Sequence, residues 1–121
     1  MSQAKTPDKN IHEVVLNNTG VVTTLLDGVT ATGVGTGVQP VSAQRTFHAK
    51  LTTSAGNGSA TVRVEVSNDN VGWITAGAIE FASAASPQND GFSSATPWKY
   101  VRGNVTAIAG TGAALTLTMG Q

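Results

Sequence analysis

The residues able to do chemistry are few. The chain has two histidines, seven acids and no cysteine. Without cysteine there is no disulfide framework, thiolate metal site or cysteine nucleophile. A metal site needs three or four converging ligands. His12 and His48 do not supply them, and His48 stands beside Lys50 in a polar alternating position. Both read as surface or packing histidines. Serine, histidine and aspartate all occur, but no G-x-S-x-G elbow presents a nucleophile. The stretch GVGTG at Gly33–Gly37 resembles a phosphate loop only superficially. It lacks the following Lys-Ser/Thr and opens no helix, so it reads as a flexible connection. Asp27, Asp69 and Asp90 fit no calcium-loop spacing. Asp beside Asn and Gly is ordinary turn chemistry. The Asn-x-Ser/Thr triplets at Asn17, Asn57 and Asn104 read as turn and strand residues without a secretory signal. No cofactor is expected.

The two tryptophans are the other candidates. Trp73 follows the turn-rich run SNDNVG, and Trp98 follows Pro97. Exposed together, they would make a sugar-stacking platform. Buried, each would cap one end of a small core with its indole N–H satisfied at the rim. Both stand where a turn or a proline opens a strand, so both are read as core caps. SNDNVGW is accordingly a hairpin turn, with Asn68, Asp69, Asn70 and Gly72 making the reversal.

Composition narrows the partners. Charged residues make up 12% of the chain, about half the usual share. Lys+Arg and Asp+Glu cancel at seven each. No basic face is expected, so nucleic acid is a poor partner. No apolar run is long enough to span a membrane as a helix. The opening MSQAKTPDKN has no apolar core of a secretory signal, which points to folding in a cytoplasm. Residues 1–10 read as a flexible arm, and residues 11–121 as one domain.

What must position these residues is a set of short strands. IHEVVLNN and GVVTTLL are rich in β-branched residues. RTFHAKLTTS alternates, with Phe47, Ala49 and Leu51 opposite Thr46, His48, Lys50 and Thr52. AGNGS then reads as a turn, and ATVRVEVS alternates again with Val62, Val64 and Val66 inward. These two runs look like a hairpin. ITAGAIEFASA places Ile79 and Phe81 on one face. SPQNDGFSSATP reads as a loop with two prolines. In WKYVRGNVTAIAG, Val101, Val105 and Ala107 share a face opposite Tyr100, Arg102, Asn104 and Thr106. AALTLTMGQ alternates Leu115, Leu117 and Met119 with threonines. No helical period appears. The expected fold is all-β: an antiparallel, jelly-roll-like β-sandwich with a flexible N-terminal arm.

VRVEVSNDNVGW, PWKYVRGNVTAI and GTGAALTLTMG carry one further signal. From Ala60 to Gly120 the chain resembles small β-rich virion structural proteins of tailed bacteriophages, most of all head decoration, or cement, proteins. The resemblance implies a non-enzymatic protein that binds the capsid exterior, clamps neighbouring capsomers and partners the major capsid protein. It also implies a dimer or a trimer. Low charge and threonine-rich outer strand faces favour a homodimer. Lys5, Pro7, Lys9 and Ile11 are the candidate capsid or subunit contacts. The alternative is a carbohydrate- or receptor-binding module of a tail or fibre. A small hydrolase on a sandwich scaffold is the third reading.

Overall fold

The computed structural model describes residues 21–95 and 97–121. Eight strands follow one another: β1 (Val22–Val29), β2 (Gly33–Val34), β3 (Arg45–Thr52), β4 (Ala55–Ser67), β5 (Ile74–Ala85), β6 (Gln88–Ser94), β7 (Tyr100–Thr111) and β8 (Ala114–Gly120). They form two four-stranded antiparallel sheets, in the orders β1-β8-β3-β6 and β2-β7-β4-β5. Bending the chain into one long hairpin would pair β1 with β8, β2 with β7, β3 with β6 and β4 with β5. Wrapping that ribbon adds the contacts β8–β3 and β7–β4. This is the jelly-roll order, and the expected all-β sandwich is the observed one.

Period-two alternation builds the core. Phe47, Ala49 and Leu51 of β3 point inward with Leu115, Leu117 and Met119 of β8. Across the sandwich they meet Val62, Val64 and Val66 of β4, Val101 and Val105 of β7, and Ile79 and Phe81 of β5. The rings of Phe47 and Phe92 pack at 5.1 Å between centroids. Leu25 and Leu26 are both buried although they are neighbours. A register shift between Thr24 and Leu26 against β8 allows it, because the extra residue of a bulge turns the next side chain back to the same face.

Four expectations need correction. β3 and β4 are not a hairpin: they lie in different sheets. Their apolar faces meet across the core, and alternation reports a strand's face but not its neighbour. AGNGS is not a turn but the start of β4; the crossing is made by Thr53 and Ser54. SPQNDGFSSATP is not a loop throughout, because it contains β6, paired with β3 from Arg45↔Ser94 to Leu51↔Gln88. As an edge strand facing water it lacks an apolar period, and the two prolines of the stretch fall outside it. Ala107 does not share the inward face of Val101 and Val105. The register skips between Thr61↔Ala107 and Val62↔Val105, so Thr106 is bulged, Ala107 turns outward and Ile108 packs against the core instead.

The Gly33–Gly37 stretch is likewise part of the sheet and not a free connection. Gly35 N–H donates to Gly103 O at 2.8 Å, and Val38 exchanges bonds of 2.8 and 2.9 Å with Val101. A Cβ on Gly35 would stand 2.7 Å from Leu25 O, so glycine is what lets this edge lie so close to β1.

Candidate functional site

The antiparallel order sends the β2–β3, β4–β5 and β6–β7 connections to one end of the sandwich, together with Val21 and Gln121. Hydrogen bonds stitch them together there. Gln121 N–H donates to Val21 O at 2.8 Å, and Val41 N–H donates to Gln121 Oε1 at 2.6 Å. Arg45 is buried and donates from Nε to Ser42 O at 2.8 Å and from Nη2 to Trp98 O at 3.0 Å. It thereby ties two connections together, and burial lowers its pKa from the ordinary arginine value. Lys99 N–H donates to Asn68 Oδ1 at 3.3 Å.

The SNDNVGW turn is the most tightly bonded part of this end. Ser67 is buried, and its hydroxyl accepts from Asp69 N–H and Asn70 N–H at 3.2 and 3.0 Å while donating to Asp69 Oδ1 at 2.9 Å. Asp69 Oδ1 also accepts from Val71 N–H and Gly72 N–H at 2.9 and 2.8 Å. The amides of Gly72 and then Val71 hold this carboxyl below its usual range, and the Ser67 hydroxyl adds to the effect. Asn70 takes φ 61°, a conformation asparagine tolerates better than most residues. The expected hairpin reversal is therefore present, joining β4 to β5.

The two tryptophans diverge. Trp98 is half-buried and packs against the core cluster. Trp73 is also half-buried, but it lies outside that cluster. The Arg102 guanidinium sits 4.2 Å from the Trp73 ring centroid, and a Cβ on Gly37 would meet the indole at 2.9 Å. The expected core cap at Trp73 is thus a lid on the outward face of the second sheet. A polar cluster lies beneath it. Arg102 Nε donates to Glu65 Oε1 at 2.8 Å, and Asn104 Nδ2 donates to Glu65 Oε2 at 2.9 Å. Alternation marks Glu65 as outward, yet it is buried, because Arg102 and Asn104 on the neighbouring strand close over it. The signal available in the sequence was three polar residues on outward positions of two strands that prove to be partners.

The remaining candidates stand apart. His48 Nε2 lies 2.9 Å from Asn89 Oδ1 on the exposed face of β3. Asp90 is not in the expected turn but within β6 opposite Ala49, and its carboxylate accepts from the next amide, Gly91 N–H, at 2.8 Å. Asp27 is exposed on β1. Among the described residues no group of three or more His, Asp or Glu side chains comes together. A recess of about 410 Å³ crosses the outer face of the first sheet between Val22, Gly120, Thr46 and Ser93, bordered by Arg45 and Gln121; no acid or histidine lines it. Lys5, Pro7, Lys9, Ile11 and His12, and the arm over residues 1–10, lie outside the described residues.

No family model and no curated protein matches the chain. Among solved structures it is similar in fold to the PBSX exported protein XepA, with a TM-score of 0.55 and 17% identity. The likeness covers 88% of this chain and 38% of that one, so the chain spans well under half the length of its structural neighbour.

Proposed function

We propose that the chain is a non-enzymatic structural protein of a tailed-bacteriophage virion, seated on the capsid exterior, where it clamps neighbouring capsomers through contacts with the major capsid protein. The observation that carries this reading is the strand order β1-β8-β3-β6 over β2-β7-β4-β5, an architecture used by viral capsid and lectin domains. The resemblance of Ala60 to Gly120 to virion structural proteins favours the capsid side of that pair. The tryptophans weigh the same way. Sugar stacking needs aromatic faces open to solvent, whereas Arg102 covers one face of Trp73 and Trp98 packs against the core.

The test is co-sedimentation of the full chain with purified phage heads and with purified tails. The reading expects saturable binding to heads at a fixed ratio to the major capsid protein, and a higher temperature of head disruption when the chain is bound. Binding to tails alone, or binding abolished by free sugars, would replace it with the tail or fibre module.

A further inference from the structure

The described residues include six large aliphatic side chains that are markedly exposed: Val21, Val22, Val34, Val41, Val71 and Ile74. All but Val34 sit at the end of the sandwich that gathers Val21, Gln121 and the β2–β3, β4–β5 and β6–β7 connections. The opposite end turns through Thr30, Thr32, Thr53, Ser54, Ser86, Pro87 and Gly112, and bears none of them. This asymmetry is not a by-product of loose loops. Val71 is 81% exposed at the tip of the turn whose amides are fixed by Asp69 and Ser67. Val41 is 78% exposed on a segment pinned by Gln121. A firmly held connection that presents a bare β-branched side chain loses little conformational entropy when it is covered, which favours its burial in a contact.

The charges at this end indicate what covers it. Asp69 and Lys99 are both exposed there, on adjacent connections joined by the Lys99–Asn68 hydrogen bond. One acid and one base beside an apolar centre make a self-complementary surface: a twofold rotation brings each charge towards its opposite. The chain as a whole carries no net charge to oppose association. We infer that this end is the surface through which two copies of the chain associate, with Val71 and Val41 in the contact and Asp69 of each copy facing Lys99 of the other. The inference does not depend on where in a virion the chain sits.

Sedimentation velocity on the full chain at up to about 100 µM, which populates dimers of micromolar Kd, tests it. The parent should show a reversible dimer. Val71→Asp and Val41→Asp should each weaken dimerisation by about tenfold or more, with the melting temperature unchanged when parent and variant are compared at concentrations where both are monomeric, and Lys99→Glu should also weaken it. Thr32→Asp, at the opposite end, should leave it intact. A parent that stays monomeric, or a Thr32→Asp variant as impaired as Val71→Asp, would overturn the assignment.

Discussion

Arg102 lies between two unlike partners: its Nε donates to Glu65 at 2.8 Å and its guanidinium carbon stands 4.2 Å from the centre of the Trp73 ring. The arrangement fastens the β4–β5 connection to β7 from the outside of the sheet. Removing the acid alone leaves a half-buried guanidinium without its counter-charge. A fully buried pair loses about 3–5 kcal/mol on such a change; the partial exposure of Arg102 reduces this, so Glu65→Gln should cost about 1–3 kcal/mol. A double-mutant cycle with Arg102→Met in urea denaturation checks whether the loss belongs to the pair.

The two tryptophans should separate in the same assay. Trp98→Ala opens a cavity against the core and should cost about 2–4 kcal/mol, somewhat less than a fully buried ring. Trp73→Ala removes a stacking contact on the outer face, worth about 0.5–2 kcal/mol. Equal losses would mean that Trp73 also supports the core.

Asp69 makes one turn pH-dependent. Its folded carboxyl is held below the usual range, so the stabilisation it gives is fully present above the unfolded carboxylate pKa, about 3.9. It is lost as pH falls through the lower, folded value. Asp69→Asn keeps an oxygen acceptor but no charge. It should melt below the parent at neutral pH, and the gap should close in strong acid. A gap that is the same at both pH values would show that charge is not what the amides select.

Gly103 faces the core opposite Leu26, where an added Cβ would come within 2.6 Å of Leu26 Cδ1 and 2.9 Å of Leu117 Cδ2. Gly103→Ala should therefore destabilise by about 1–3 kcal/mol through overpacking. His48→Ala, on the exposed face of β3, should stay within about 0.5 kcal/mol. Thermal melts of the two variants side by side make the comparison.

Much of the fold was legible because one side of every long strand is wet. RTFHAKLT and ALTLTMG each announce their inward residues, and those residues are the core. What alternation leaves open is partnership. Val62 and Leu51 have the same signature whether their strands hydrogen-bond side by side or face each other across a sandwich, which is why β3 and β4 read as a hairpin. A bulge at Thr106 changes the face of Ile108 without changing the composition around it. β6 escaped because an edge strand with Asn89, Asp90 and Gly91 has the composition of a loop. The site suffered most. The place of Trp73 is set by Arg102 and Gly37, which reach it only through the pairing of β2, β7 and β4, and Arg45 becomes a clamp only once the β6–β7 connection arrives over it.

The adjacency of Val21 and Gln121 also sets how the sandwich responds to force. β1 and β8 are antiparallel neighbours, and their hydrogen bonds run across the strands. Tension that draws Val21 away from Gln121 therefore loads one bonded pair at a time, and the two strands unzip in sequence. Tension between Val21 and the opposite end, at Ser54, instead runs along the strands and loads the ladders in shear, many bonds at once. The sandwich is mechanically anisotropic: compliant when Val21 and Gln121 are parted, stiff along its length.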